Sequence, residues 1–290
     1  MNIPSIQFTP PASNSKGIEI IELDELYHRR FKMEHDPNKP HRVHFSLMLY
    51  IEQGEGSHFI DFNHYPFSKG SFIFVNKNQI QAFALNEHIK GKLVLFTDSF
   101  IEHVQTNMNM PALSLNHFHI AYSAVFTPSP ALTSSCVSLL SEIQKEIDHE
   151  GNNTLITMLL FSSLFLMLER ERPHSYAKVL SQSQVKQFNF FSELLDQGLT
   201  GKREAAYYAE QLHITYKTLN NLCKLATNRT AKQLIDAYTI IEAKRRLILE
   251  SKQVQEIAYD LGFEETSNFI KYFKKHTLNT PSQFRNLTKS

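Results

Sequence analysis

Cysteine is scarce in this chain, and its scarcity argues against two kinds of stabilised fold. The 290 residues contain two cysteines, Cys136 and Cys223, and each lies in a segment with helical periodicity. A disulfide framework or a cysteine-based zinc site needs more thiols at closer spacing. The chain is therefore expected to fold without disulfides, in a reducing cytoplasm.

Long hydrophobic runs are also lacking. The most apolar segment, residues 155–168, is too short to span a bilayer and is interrupted by Ser162 and Ser163. The first residues contain neither a basic region nor an apolar stretch, so no secretory signal is expected. Residues 155–168 are better interpreted as a buried or dimer-forming helix, and no membrane partner is predicted.

The net charge is only +1, but the charges are unevenly distributed. Residues 185–290 contain 16 Lys or Arg against 11 Asp or Glu, whereas residues 1–184 contain 14 against 18. A basic segment of this kind is typical of binding to nucleic-acid phosphates. The length and the 42% hydrophobic content suffice for two separate cores.

The stretch from Val254 to His276 has the most specific pattern in the chain. Ile257, Ala258 and Leu261 share one helical face, Gly262 ends that helix, and Phe263 fills the turn before a second helix. This pattern predicts a helix-turn-helix motif, although an αα-hairpin that only packs is the alternative.

The second helix of this motif places Phe269, Tyr272 and Phe273 inward. Its outer face suits the floor of a DNA groove and carries Thr266, Ser267, Ile270 and Lys271. The pattern continues without a gap through Lys274 and Lys275 to Thr280-Pro281. At this length it closely resembles the second DNA-binding motif of the AraC/XylS family of transcription regulators.

A first helix-turn-helix motif is indicated by its spacing, although its residue types match the pattern less closely. Residues 203–211 predict a short helix, residues 212–214 a turn, and Thr215 offers an N-cap hydroxyl. The following helix, residues 216–226, exposes a face with Lys217, Asn220, Asn221 and Lys224. Asn and Lys side chains suit adenine and guanine edges respectively.

Residues 231–250 predict one long helix shared by both motifs. A shared helix would hold the starts of the two recognition helices about 30 Å apart, one turn of DNA. Lys244, Arg245 and Arg246 are expected to be exposed on it, either as DNA contacts or as a solvated face.

The resemblance covers about residues 186–287, and it places the base-reading positions on Lys217, Asn220, Asn221, Thr266, Ser267, Ile270 and Lys271. Lys224 and Lys274, positive residues on the same two helices, complete the predicted DNA-binding set. Two departures concern the turns, where Asn228 and Leu278 replace the family's usual Gly. Asn tolerates a left-handed conformation but Leu clashes in it, so the second turn is expected to be rebuilt around Asn279. Thr239 replaces an Arg common on the shared helix, which leaves one contact between the subdomains open.

From Gly17 to Thr97 the apolar residues alternate with period two, and Gly or Pro punctuates them at short intervals. This predicts a small antiparallel β-barrel. Together with the C-terminal motif it resembles the cupin-type effector domain common in AraC/XylS regulators. The predicted fold class is α+β: an N-terminal antiparallel cupin-like β-barrel with a helical dimerisation segment, and a C-terminal all-α double helix-turn-helix domain.

Four segments are expected. They are a flexible arm at residues 1–16, the effector-binding and dimerisation domain at 17–171, a linker at 172–184, and the DNA-binding domain at 185–290. Dimerisation through residues 131–170 is implied by the resemblance, and an intrachain bundle is the alternative.

Barrels of this size hold one small ligand. The candidate effector-binding residues are His41, Arg42, His44, Phe45, Leu47, Phe59, Phe72 and Phe74. The basic ones could bind a carboxylate or hydroxyl groups, so a carboxylic acid is one candidate effector. The alternative is that the aromatic side chains simply fill the barrel.

A metal is a further alternative, since some cupins are metalloenzymes. Here His41 and His44 stand three residues apart, and an odd spacing places them on opposite faces of a strand. We therefore expect no metal, no cofactor and no catalytic residues.

The resemblance implies a cytoplasmic, sequence-specific transcription regulator, in the family's usual direction an activator. It would bind double-stranded promoter DNA as a homodimer, act with RNA polymerase, and respond to a small organic effector. Two alternatives stay open: a regulator whose barrel is a ligand-free dimerisation scaffold, and a metal-dependent cupin enzyme fused to a DNA-binding module.

Overall fold

A computed structural model of the protein describes residues 3–8, 17–33, 35–108, 123–172, 180–197 and 202–287. The contacts within the chain divide it into two compact units, Pro4–Ser175 and a unit that contains Tyr176–Ser290. The first unit combines sheets with helices and the described part of the second is helical. The α+β class predicted from the sequence is thus confirmed.

The described residues of the N-terminal unit contain two five-stranded sheets, with the strand orders β1-β3-β8-β5-β6 and β10-β7-β4-β9-β2. The pairings are antiparallel except that of β1 with β3, which is parallel. The strands are β1 Ser5–Ile6, β2 Ile18–Glu22, β3 His41–Val43, β4 Ser46–Gln53, β5 Gly56–Ile60, β6 Asn63–Phe67, β7 Phe72–Val75, β8 Ile80–Ala82, β9 Lys90–Phe96 and β10 Val125–Phe126. Residues of both sheets meet in one hydrophobic core, so the two sheets pack face to face.

The alternating apolar run from Val43 to Ile51, which reads as one continuous strand, spans two strands in different sheets. The chain leaves the first sheet after β3 and enters the second at β4. The alternation continues across the break because the side chains on both sides of it still point toward the space between the sheets. Periodicity alone therefore could not locate this corner.

The second sheet is buried on both of its faces. Successive strand residues point to opposite sides, so Leu47 and Leu49 join the core between the sheets. Met48 and Tyr50 join a second core against the helices. This double coverage explains why all residues of β4 up to Ile51 are buried.

Helices cover the outer face of the second sheet. The α-helices in the described part of this unit are α1 Leu23–Arg29, α2 Asp98–Met108, α3 Pro130–Asp148 and α4 Thr154–Glu171. The ring of Phe161 on α4 lies 5.4 Å from that of Phe96 on β9 and 5.1 Å from that of Phe100 on α2. No helix in the described part of the chain is long and apolar enough to cross a membrane.

The segment expected to be a flexible arm, residues 1–16, contains ordered structure. Ser5–Ile6 pairs with β3, and the Phe8 ring lies 5.6 Å from that of Phe45. Residues 9–16 lie outside the described residues. The expected linker at 172–184 begins with the buried Arg172 and ends inside a helix, and residues 173–179 are likewise not described.

The C-terminal unit is a series of seven helices in its described part. They are α5 Gln182–Gln197, α6 Ala205–Gln211, α7 Tyr216–Thr227, α8 Ala231–Leu249, α9 Val254–Asp260, α10 Thr266–Thr277 and α11 Pro281–Leu287. The long helix α8 contacts α7 on one side of the unit and α9 and α11 on the other. It is the shared helix that the sequence predicts.

Candidate nucleic-acid interface

Both helix-turn-helix motifs close with the same backbone geometry. In the first, His213 has φ +53° and the Ile214 amide donates to the Ala209 carbonyl at 3.0 Å. In the second, Gly262 has φ +77° and the Phe263 amide donates to the Ala258 carbonyl, also at 3.0 Å. Because the residues at these positions, Ala209 and Ala258, are small, the two helices of each motif can approach closely.

Helix α7 buries one side and exposes the other. Thr215 caps it, its hydroxyl accepting from the Thr218 amide at 3.1 Å as predicted. The inward residues are Leu219, Leu222, Cys223 and Ala226. Lys217, Asn221 and Lys224 are exposed, as the sequence predicts.

Asn220 departs from that predicted exposed face. It is half-buried, and its side-chain oxygen accepts a hydrogen bond of 3.2 Å from the Ala231 amide at the start of α8. The physical reason is position: Asn220 lies next to the buried stripe, at the side that faces α8. Its oxygen therefore satisfies one of the free amides at a helix N-terminus.

Helix α10 presents its recognition face in the same way. Phe269 and Phe273 are fully buried, and their rings lie 5.8 Å apart. Of the predicted DNA-binding residues on this helix, Ser267, Lys271 and Lys274 are exposed, and Thr266 and Ile270 are half-buried. The outer face thus combines small and positively charged side chains, which suit groove bases and phosphates.

Helix α8 is anchored at its start by a capping box. The Thr230 hydroxyl accepts from the Gln233 amide at 3.1 Å, and the Gln233 side chain accepts from the Thr230 amide at 2.8 Å. The prediction that residues 244–246 are all exposed is wrong. Arg245 is buried, and Arg246 is half-buried with its Nε 2.8 Å from Glu242.

The turn after α10 also differs from expectation. Leu278 itself adopts the left-handed conformation, with φ +64°, and its amide donates to the Lys274 carbonyl at 2.9 Å. The turn is therefore not rebuilt around Asn279. Leu278 is 86% exposed, so no buried contact requires a leucine at this position. Asn228, which ends α7, has the equivalent conformation with φ +57°.

The residues after this turn lock the second motif onto α8. Thr280 and Gln283 cap α11 reciprocally, and the Phe284 ring lies 5.6 Å from that of Phe273. Arg285 donates to the Leu247 carbonyl and the Lys252 carbonyl, each at 2.8 Å. The first bond satisfies a carbonyl in the last turn of α8, and the second holds the loop between α8 and α9.

The structure does not bring all the predicted effector-binding residues together. Phe45 and Leu47 lie in the core between the sheets. Phe72 and Phe74 lie in the other core, against the helices, so their assignment to the barrel lining is wrong. They alternate with Ile73 and Val75, which point inward.

The other predicted effector residues are also divided between faces. Phe59 is half-buried, and its ring lies 5.3 Å from that of His64. Arg42 is half-buried between two buried neighbours on β3, so it points away from the inner core. The His44 ring bonds to the Ser5 hydroxyl at 2.6 Å. Only His41 joins Phe45 and Leu47 on the inner side.

His41 belongs to a buried polar chain that the sequence did not reveal. Its Nδ1 donates to the Lys39 carbonyl at 2.9 Å, so its Nε2 accepts from the Gln81 amide at 3.1 Å. The Gln81 oxygen in turn accepts from His58 Nε2 at 2.9 Å. Burial lowers the pKa of both histidines to about 4, so the chain is uncharged at neutral pH.

Within the described ranges, no three His, Cys, Asp or Glu side chains are placed to hold a metal ion.

Arg203 was not among the predicted functional residues. Its guanidinium lies 3.6 Å above the Phe263 ring, which is distant in sequence. No local pattern could have indicated a contact over this separation. Thr239, which replaces the expected Arg, is buried and bonds to the Ile235 carbonyl at 2.8 Å.

The family model and the protein relatives that match this chain all describe helix-turn-helix proteins or transcription regulators. A family model described as "Helix-turn-helix domain" matches residues 208–287. The transcriptional activator RhaS of Shigella dysenteriae is 20% identical over 284 residues, 98% of this chain and 96% of that protein. An uncharacterised helix-turn-helix regulator of Pseudoalteromonas carrageenovora is 44% identical over 62 residues, 21% of this chain and 36% of that protein.

Among solved structures, ToxT from Vibrio cholerae with a bound unsaturated fatty acid has a TM-score of 0.43 and 15% sequence identity. The match covers 84% of this chain and 87% of ToxT. The family match falls on the part of the chain in which α7 and α10 expose their recognition faces. Residues 208–287 therefore form a helix-turn-helix domain, and over most of its length the chain is similar to transcriptional activators.

Proposed function

We propose that this regulator activates transcription by reading promoter DNA with helices α7 and α10, under the control of a small organic effector. The observation that carries the DNA side is the pair of exposed recognition faces on two motifs that share helix α8. RNA polymerase is the partner that an activator requires, and the cytoplasm is the compartment in which the two would meet.

Within this proposal, exposed side chains in the outer faces read bases. On α7, Asn221 suits an adenine edge and Lys217 a guanine edge. On α10, Ser267 and Lys271 contact base edges. Thr266 and Ile270 contribute through their exposed portions. Lys224 and Lys274, further along the helices, contact phosphates. Asn220 is assigned to capping α8 instead of to base reading, because its oxygen is already bonded.

Selection of bound sequences from a random DNA pool tests this assignment. Asn221→Ala and Lys271→Ala are expected to relax preference at individual base positions, each by about 1–3 kcal/mol. Lys274→Ala should instead weaken binding to all sequences and reduce the salt dependence. Equal losses on specific and random DNA for all three variants would contradict these roles.

Asn220 and Asn221 provide a matched pair, since the same side chain stands at neighbouring positions. Asn220→Ala should lower the stability of the C-terminal unit and leave the selected sequence unchanged. Asn221→Ala should change the selected sequence and leave the stability of that unit unchanged. If Asn220→Ala changes the selected bases without changing stability, the capping role of Asn220 is incorrect.

For the effector, we propose the inner core of the N-terminal unit as the binding region. Phe45, Leu47 and Phe83 supply apolar surface there, and Phe83 lies 5.4 Å from the His58 ring and 6.0 Å from the His41 ring. A neutral polar chain beside apolar walls favours an uncharged molecule with hydroxyl or amide groups. A carboxylic acid would need a cation, and Arg42 faces the other way.

Thermal unfolding with a panel of metabolites tests the effector. A ligand at 100 times its Kd should stabilise the protein by about 2.7 kcal/mol. Phe45→Leu should reduce the stabilisation, whereas Phe59→Leu, the same change at a residue outside the inner core, should not. If no compound shifts the melting temperature, the barrel is a ligand-free scaffold. Metal analysis of the purified protein separates this proposal from a metal-dependent enzyme.

We also propose that the protein is a homodimer through helix α4. Leu155, Ile156, Leu159 and Leu166 are each more than 40% exposed along this helix. Such a row is costly to leave in water and fits a second copy of the same face. Sedimentation of Leu159→Glu should show monomers where the unmodified protein shows dimers. Dimers in both would indicate a different interface.

A further inference from the structure

A cluster of charged and aromatic side chains joins the two helix-turn-helix motifs of the C-terminal unit. The Tyr272 hydroxyl on α10 donates to Asp236 Oδ1 on α8 at 2.9 Å. Lys232, one turn earlier on α8, lies 3.1 Å from the same carboxylate oxygen. Lys232 Nζ also donates to the Arg203 carbonyl at 3.3 Å. Arg203 lies just before α6, the first helix of the first motif.

Arg203 completes the cluster from the side of the first motif. Its guanidinium lies 3.6 Å above the Phe263 ring and 5.8 Å from the Tyr272 ring, and it donates to the Gly262 carbonyl at 3.5 Å. Gly262 and Phe263 form the turn of the second motif. The start of α6 and the turn before α10 are therefore held against each other directly, and not only through α8.

The cluster acts on the position of a recognition helix because Tyr272 belongs to α10 itself. The Phe263 and Tyr272 rings lie 5.2 Å apart, so the cation packs over both. Burial and the Asp236 carboxylate raise the pKa of Tyr272, which keeps its hydroxyl a donor. A displaced α10 would lose the cation–π contact and the hydroxyl bond together.

We propose that Arg203 and Tyr272 are positioning residues that fix α10 relative to α7, so that the protein accepts one spacing between the two halves of its DNA site. This inference rests on the proposed two-helix mode of DNA reading. A change of one base pair moves a half-site along the duplex axis and rotates it around that axis. A locked pair of helices cannot follow such a change, whereas a loosened pair can.

The test uses DNA duplexes that carry the selected site with the spacing between its halves changed by one or two base pairs. The variants are Arg203→Met, Tyr272→Phe and their combination. Tyr238→Phe is the matched control, since it removes a hydroxyl from the same helix α8 that donates to Asp196 on α5. The combined variant is expected to discriminate between spacings roughly threefold to tenfold less well, and Tyr238→Phe should match the unmodified protein.

A second measurement works without DNA. Spin labels at Leu225→Cys and Lys275→Cys, on exposed positions of α7 and α10, report the distribution of distances between the helices. The distribution should broaden in the combined variant and in Tyr272→Phe, which retains the ring, but not in Tyr238→Phe. Unchanged width in the combined variant would overturn the inference. If the unmodified protein selects no DNA sequence, the proposed reading of DNA by two helices is refuted. The width of the distance distribution between the spin labels still tests the role of the cluster in that case.

Discussion

Leu278 is the position at which one substitution should stabilise the DNA-binding unit. It ends helix α10 in the left-handed conformation, with φ +64°. A residue with a Cβ pays about 1–2 kcal/mol for that conformation, whereas glycine adopts it freely. Leu278 is 86% exposed, so its removal costs little packing. Leu278→Gly should therefore remove strain at small cost.

The net gain is smaller than the strain itself. Glycine has more conformational freedom to lose on folding, which offsets about 0.5–1 kcal/mol. We expect Leu278→Gly to raise the free energy of unfolding by about 0.5–1 kcal/mol. For a unit of this size the melting temperature should rise by roughly 2–8 °C.

Asn228→Gly is the matched control, because Asn228 ends α7 in the same conformation. Asn tolerates this region better than Leu, so the gain there should be only a few tenths of a kcal/mol. Hydrogen exchange of residues 202–287, measured on the full chain, separates this unit from the N-terminal one. If Leu278→Gly gives no gain, or no more than Asn228→Gly, the strain at Leu278 is refuted.

Three further predictions concern stability. Because the pKa values of His41 and His58 are about 4 in the folded protein against an ordinary 6.5, the unfolded chain binds protons first as the pH falls. Urea titrations should show the N-terminal unit losing up to about 1.4 kcal/mol per pH unit per histidine between pH 6.5 and 4, and His58→Gln should remove about half of this slope. Thr230→Ala breaks the capping box of α8 and should lower the stability of the C-terminal unit by about 1 kcal/mol in urea unfolding; no loss would mean that the cap is dispensable. Arg285→Met removes the bonds to the Leu247 carbonyl in α8 and to the Lys252 carbonyl in the loop before α9, and it should accelerate hydrogen exchange in residues 247–252, whereas Arg229→Met, at an exposed turn, should leave that exchange unchanged.

The sequence was sufficient to identify the DNA-binding motifs because their information is local. The spacing of Ala258, Leu261, Gly262 and Phe263 follows from the helix period and from the left-handed turn that glycine permits. The same reasoning placed Thr215 as a cap and Phe269 and Phe273 inside, and the structure confirms both. It also predicted a series of short antiparallel strands in the N-terminal part, since a period of two is set by the pleat.

Tertiary structure decided which face of each element is used and what lies opposite it. An alternating strand looks the same whether Phe72 or Ile73 faces the inner core, because both sides of that sheet are covered. Asn220 and Asn221 are identical in sequence terms, and only the approach of α8 separates a capping side chain from an exposed one. The contacts of Arg203 with Phe263, and of His41 with Gln81 and His58, join residues far apart in the chain, so no local period or propensity encodes them.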